Sequence, residues 1–166
     1  MINKILITVY TRLLKSAYRR GRHYGLLDSN NNIGTTRFEV LWRDERWNDT
    51  FGLINSRPWY LPFNIFIHRW FRSDSGLMHD HPRWTITIVL TGHFIEELPK
   101  KRRWLSPGSV VFRSHNSVHK IIIPKGQKVR TVFITGRRRW RQHYYSGEIK
   151  RPATKFDAPP TEEPKT

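Results

Sequence analysis

Apolar residues near the N-terminus recur every three or four positions, which places them along one side of an α-helix. They are Ile2, Ile5, Leu6, Val9, Leu13 and Ala17. Gly21 and Gly25 are suited to ending such a helix. The pattern predicts an amphipathic helix in an N-terminal unit, residues 1–27. We expect it to pack on the rest of the domain; the alternative is a basic helix that binds a membrane surface or a partner.

After a segment rich in Asn, Gly and Ser (28–35), the pattern changes to short runs of β-branched and aromatic residues. These runs are RFEVLWR, NIFIHRWFR, RWTITIVLTG, HFIEEL, SVVFRS, HKIIIP and VRTVFITG. Their close spacing leaves no room for crossover helices, so residues 36–148 are predicted to form an antiparallel sandwich or barrel. Residues 149–166 are rich in Pro and charge, which predicts a flexible tail.

The 166 residues suffice for one domain with its own core. Thirty Lys and Arg residues against 13 Asp and Glu residues give a formal net charge of +17. Such a field attracts anions, so a small anionic ligand, nucleic acid or an anionic membrane is an expected partner; the alternative is surface charge without a specific partner. The absence of cysteine excludes disulfides, thiolate metal sites and a cysteine nucleophile.

Two histidines separated by one residue stand at the centre of the chain. Side chains two apart on a strand point to the same side, so His79 and His81 can aim both rings at one point. Imidazole is a common metal ligand, and with no cysteine in the chain any metal must be held by His, Asp or Glu. A lone His-x-His is weak on its own, and two exposed histidines beside a turn are the alternative.

The residues that follow resemble the two motifs of the cupin superfamily. The matching positions are His79, His81, Gly92, Gly108 and His119, and the resemblance spans residues 63–136. Thr85 stands where cupins carry a Glu, and Ser114 and Asn116 replace a Pro and a Gly. The HDHP and PGSVVF segments are also similar to small cupin-like proteins found in phage and bacterial genomes.

This resemblance implies an all-β fold, a single antiparallel cupin-type jelly-roll barrel preceded by the helix and followed by the tail. It implies that His79, His81 and His119 are metal ligands. Three neutral imidazoles suit Fe(II), Zn, Mn or Ni, and they leave positions open for water or an anionic substrate. Asp80 is expected to point away from the ion and to orient a histidine or to bond Arg83. A cupin that has lost its metal is the alternative.

The alternation of a strand predicts which other side chains share the face of the two histidines. Arg83, Thr85 and Thr87 fall on that face and are candidates for substrate binding. Arg72 is a further candidate, since a nearby arginine can clamp a carboxylate or phosphate. A surface salt bridge is the alternative role for Arg72.

Three clusters of cations stand out, around residues 19–22, 100–104 and 137–145. The last interleaves arginines with aromatic residues, a combination that can neutralise phosphates and stack on unpaired bases. Its candidates for binding nucleic acid or another anion are Arg137, Arg138, Arg139, Trp140 and Arg141. A charged rim whose aromatics pack on the barrel is the alternative.

Two functions remain open. The first is a metal-dependent cupin-type enzyme, an oxygenase or isomerase, acting on a small anionic or nucleotide-like substrate. The second is a non-catalytic module that docks an anionic ligand, nucleic acid or a virion component. The resemblance also allows a homodimer. No run is long enough to span a membrane, so we expect a cytoplasmic protein, in a host cell if the chain is of phage origin.

Overall fold

The computed structural model describes residues 2–20, 23–27, 33–41, 45–48, 52–55, 60–74, 77–137, 143–146 and 149–152. These residues form one helix and fourteen strands. The elements in chain order are α1 (Ile2–Arg19), β1 (His23–Leu27), β2 (Ile33–Glu39), β3 (Glu45–Asn48), β4 (Gly52–Asn55), β5 (Asn64–Trp70), β6 (Met78–His79), β7 (Thr85–Thr91), β8 (Phe94–Leu98), β9 (Lys101–Leu105), β10 (Val110–Arg113), β11 (Lys120–Ile122), β12 (Val129–Thr135), β13 (His143–Ser146) and β14 (Ile149–Pro152).

The strands pair in antiparallel fashion, as predicted. The largest sheet has six strands in the order β1-β2-β5-β12-β7-β10. Two three-stranded sheets have the orders β11-β8-β9 and β14-β13-β6, and β3 pairs with β4. Strands distant in sequence therefore lie side by side, as in the predicted jelly roll.

Three boundaries differ from the predicted ones. The helix ends at Arg19, and residues 23–27, assigned to the helical unit, form β1 against β2. Strand β2 begins at Ile33, inside the segment predicted as a loop. Residues 149–152, assigned to the tail, form β14 against β13, while 153–166 lie outside the described residues. Strands β1 and β14, of five and four residues, are too short to show an alternation in the sequence, and their pairing with β2 and β13 defines them.

Helix α1 covers part of the outer face of the six-stranded sheet. Its buried Tyr10 and Ala17 join Phe38, Val40 and Ile67 in one apolar cluster. Arg20 directly follows the helix, and its guanidinium donates a hydrogen bond to the carbonyl of Val40 at 2.9 Å. Within the described part of the chain, no helix combines the length and hydrophobicity needed to span a membrane.

The main core lies between the six-stranded sheet and the β11-β8-β9 sheet. Its buried members are Val89, Phe94, Leu105, Val111, Ile121, Ile123 and Val129. The alternation of β7 turns Thr85, Thr87 and Val89 inward, while the residues between them are only half-buried. This inner face is the one that the sequence predicts for the two histidines.

Gly92, in the turn between β7 and β8, is a position where both the backbone conformation and a close neighbour disfavour a side chain. Its φ is +72°, and an added Cβ would lie 2.5 Å from the carbonyl oxygen of Lys128. We expect Gly92→Ala to lower the free energy of unfolding by about 2–3 kcal/mol, measured by urea denaturation. Gly126 is the control, because its φ is +81° but no atom lies within 4 Å of the added Cβ. Equal losses for both variants would contradict the role of the close approach.

Candidate metal centre

A backbone bridge between two distant positions builds the centre. His79, in β6, pairs with His119, which directly precedes β11. Each of the two residues donates its N–H to the other's carbonyl, both at 2.9 Å. Residues directly opposite each other in an antiparallel pair project to the same face of the sheet. The pairing therefore places both rings on one side, and His81 follows two residues after His79.

The three imidazoles converge on one point. Ring centroids are 5.2 Å apart for His79 and His81, and 5.0 Å for each of these with His119. The Nε2 atoms of His81 and His119 are 2.9 Å apart, and one nitrogen from each ring lies within 4.8 Å of the other two. Metal–nitrogen bonds of about 2.0–2.1 Å allow two ligands of one ion to be up to about 4.2 Å apart. The group fits a metal with at most a small ring movement.

The outer nitrogens of two of these rings have hydrogen-bond acceptors. Nδ1 of His119 donates to a carboxylate oxygen of Glu96 at 2.7 Å, and Nδ1 of His79 lies 3.4 Å from the carbonyl of Leu77. A proton held on Nδ1 leaves the lone pair on Nε2, pointed into the centre. Metal-binding histidines commonly have this arrangement.

Glu96 is the residue of the site that the sequence analysis missed. Its side chain is fully buried (0%) and also accepts hydrogen bonds from Arg113 and Arg103, both from Nε at 2.5 Å. Burial by itself would raise the pKa of this carboxyl, but the hydrogen bonds from His119 and Arg113 outweigh burial and hold the pKa well below its ordinary value. The signal in the sequence is a glutamate two residues after Phe94, on the inward side of β8.

The environment keeps the imidazoles of His81 and His119 neutral. Burial, opposed by the hydrogen bond to Glu96, lowers the pKa of His119 to about 4. Burial and the neighbouring His119 and His79 hold the pKa of His81 well below its ordinary value. Neutral imidazole is the form that binds a metal, so these two rings are ready to do so at neutral pH.

The candidates for substrate binding divide between the interior and the surface. Thr85, Thr87 and Arg83 are buried, as expected for the inner face. Thr87 accepts a hydrogen bond from Arg113 at 2.7 Å, and Arg83 donates to Thr135 at 3.4 Å. Arg72, in contrast, is exposed just beyond the end of β5.

An arginine of β2 on the inner side was also missed by the sequence analysis. Arg37, in β2, donates from Nε to Nε2 of His68 at 2.9 Å and lies over the ring of Phe66 at 5.2 Å. His68 lies 5.0 Å from Phe133, whose ring is 5.8 Å from that of His81. This chain of rings links Arg37 to the metal centre. The signal for it is an arginine at an inward position of a strand.

Asp80 points away from the centre, as expected, but its histidine partner is not one of the three. Its oxygens accept the backbone N–H of His143 at 2.7 Å, the Nδ1–H of His143 at 3.0 Å and the hydroxyl of Tyr145 at 3.0 Å. Burial and this hydrogen bond raise the pKa of Tyr145 to about 12. These hydrogen bonds to Asp80 thus stabilise the position of β13 beside β6.

We expect Asp80→Asn to lower the free energy of unfolding by about 1–3 kcal/mol, because the new amide group meets the donors of His143 and Tyr145. Metal content should not change, since none of these bonds involves the three histidines. Urea denaturation and metal analysis of the same samples check both points. Tyr145→Phe, which loses one bond to Asp80, should cost less. Loss of metal would show that Asp80 orients a ligand instead.

The proposed nucleic-acid candidates fall mostly outside the described residues. Arg137, which directly follows β12, is exposed. Arg138, Arg139, Trp140 and Arg141 lie outside the described residues. The end of the same cluster forms β13, where Tyr144 is opposite His79 in the backbone register. Of the described parts of the cluster, Arg137 thus lies at the surface and residues 143–145 lie in a strand beside the metal centre.

No family model matches the sequence, and no curated protein matches it. The chain is similar in structure to the polyketide cyclase RemF of Streptomyces resistomycificus, with 18% identity and a TM-score of 0.53 over 69% of this chain and 74% of that one. It is also similar to a cupin-like protein from Thermotoga maritima, with 16% identity and a TM-score of 0.50 over 74% and 80% of the two chains. At these identities the likeness establishes the arrangement of the strands.

Proposed function

We propose that this chain, which has the cupin fold, binds a divalent metal through His79, His81 and His119 and acts with it as an enzyme on a small anionic substrate. The observation that carries the proposal is the convergence of three ring nitrogens within 4.8 Å. Among the described residues this is the one group of possible metal ligands of three or more members that lies so close together.

The ligand set determines which metals are suitable. Three neutral nitrogen donors favour Fe(II), Zn, Mn or Ni over the hard cations that prefer oxygen. Glu96 accepts a hydrogen bond from Nδ1 of His119. Its negative charge therefore acts on the metal through the His119 ring and does not occupy a ligand position. Once bound, the metal would supply Lewis acidity or, as Fe(II), activation of oxygen in an oxygenase reaction.

The charges around the centre favour an anion as substrate. The guanidinium groups of Arg113 and Arg37 both oppose a positive charge on His81, which means that their field at the centre is positive. Arg113 is held by Glu96 and Thr87, and Arg37 is held by His68, so the two cations are fixed in place. A fixed positive field lowers the free energy of an anion bound near the metal.

Metal analysis tests the proposal most directly. We expect the wild-type protein, purified without added metal, to hold close to one equivalent, and His79→Ala and His119→Ala to hold close to none. His115→Ala is the matched control, since it removes a half-buried histidine outside the three. Oxygen uptake by the Fe(II)-loaded protein then separates an oxygenase from the other chemistries. A metal-free wild type, or variants that load as well as it does, would overturn the proposal.

The second candidate function is a non-catalytic module that holds an anionic ligand or docks on a nucleic acid or a virion component. The net charge of +17 favours it. It requires no metal, so a metal-free wild type that binds anions with a steep salt dependence would support it over the enzyme.

A further inference from the structure

The basic run at residues 100–104 is divided by the alternation of β9. Arg103 turns inward and donates to the buried Glu96. Arg102 and Trp104 are exposed on the opposite face. Lys101 shares the face of Arg103 but is exposed at the start of the strand, and Lys100 is exposed in the preceding turn. A run that looks uniform in the sequence thus contributes one arginine to the metal centre and the remainder to the surface.

The outer face of the β11-β8-β9 sheet carries two parallel rows. Trp104 is opposite Ile95, which is opposite Ile122. The next row consists of Arg102, Glu97 and Lys120, paired across the same three strands. Opposite residues share a face, as do residues two apart on one strand. An apolar row therefore lies beside a charged row, and each row extends about 10 Å across the three strands.

The charged row and the adjoining turn have a positive balance. Arg102 forms an ion pair with Glu97, with Nε 2.8 Å from the carboxylate. Lys120 adds a second cation to that row, and Lys100 is exposed in the turn at the hairpin end. Two cations of the row thus face one carboxylate, and the turn adds a third cation.

Trp104 is the unusual member of the apolar row, because 64% of it is exposed. The ring of His93 lies 5.2 Å from the indole, inclined at 46°. A large aromatic ring left in water beside cations suits a partner with a flat π-face and a negative backbone.

We propose that this face, made up of Trp104, Ile95 and Ile122 with Arg102, Lys120 and Lys100 of the adjoining turn, binds single-stranded nucleic acid. An unpaired base stacks on Trp104, and the phosphates on either side of it contact the adjoining cations. A single strand is required because the bases of a duplex are already stacked and their faces are inaccessible to Trp104. The proposal is independent of the metal centre, which lies on the inner side of the same sheet.

Fluorescence anisotropy with a labelled 20-nucleotide single strand of mixed sequence tests this at several salt concentrations. We expect Trp104→Ala to weaken binding at least about fivefold, with Trp104→Phe in between, because stacking is lost or reduced. Lys100→Gln with Lys120→Gln should weaken binding and reduce the slope of log affinity against log salt by about two. Metal content and the urea midpoint should stay at the wild-type values in all these variants.

A matched pair of lysines controls for the net charge. Lys125→Gln with Lys128→Gln removes the same two charges from the exposed turn between β11 and β12. The proposal is overturned when this control weakens binding as much as the Lys100 and Lys120 pair, or when Trp104→Ala binds as well as wild type. Equal affinity for a duplex, or binding confined to vesicles containing anionic lipid, would also overturn it.

Discussion

Replacing Glu96 with alanine is expected to lower the free energy of unfolding by about 3–5 kcal/mol and to weaken metal binding about 10- to 100-fold. The stability loss arises because Arg113, only 3% exposed, would keep its charge in the core without its carboxylate. The loss of metal affinity arises because Nδ1 of His119 would lose the acceptor that fixes its proton and ring orientation. One side chain thus supports the fold and the centre together.

The adjacent glutamate provides the control for this experiment. Glu97 also pairs with an arginine of β9, Arg102, but this pair is on the outer face with Arg102 largely exposed. Exposed ion pairs contribute little, so Glu97→Ala should cost about 0.5 kcal/mol and leave metal affinity unchanged. Urea denaturation of the metal-free proteins and competition with a chelator measure the two effects. Similar losses for the two alanine variants would contradict the role given to Glu96.

Acid is expected to destabilise the metal-free protein strongly. In the folded state the pKa of His119 is about 4, below the ordinary value near 6.5 that it regains on unfolding. Between these values the unfolded chain binds the extra proton, so stability falls as the pH falls from about 7 to 4. His119 alone accounts for about 3 kcal/mol. His81 and His68, whose pKa values are also lowered by burial, change stability in the same direction.

Urea denaturation at pH 7, 5.5 and 4.5 in the presence of a chelator measures this loss. His119→Gln removes one of the titrating groups, so its stability should depend less steeply on pH than that of wild type. Glu96 adds to the loss only below about pH 5, where the unfolded chain protonates this carboxyl while the folded state, with its lowered pKa, keeps it charged. Stability that stays constant between pH 7 and 4.5 would show that folding does not lower the pKa of these histidines.

Much of the β region could be predicted from the sequence because its pattern is local. The β7 run alternates threonine and isoleucine, and the structure buries Thr85 and Thr87 as the alternation requires. Gly92 stands at a cupin motif position, and the structure gives it a positive φ. Residues 23–27 and 149–152 could not be predicted in the same way, since these strands depend on their neighbours.

The histidines of the centre could be predicted because their spacing matches a motif. The residues that hold the surrounding structure in place, Glu96 and the partners of Asp80, could not. Glu96 becomes a buried carboxylate only when Arg113 and Arg103 reach it from two other strands. Asp80 meets His143 across 63 positions of the chain. Partners so distant leave no periodic signal, and only the folded topology shows which acidic side chain faces which cation.

The separation of the three histidines along the chain would link ion binding to folding. The imidazoles of His81 and His119 are separated by 38 positions, so an ion shared between them would close a long loop much as a covalent cross-link does. Ion binding and assembly of the barrel would then be thermodynamically linked. A low concentration of the metal would then lower the free energy of unfolding as well as remove the proposed metal-dependent activity.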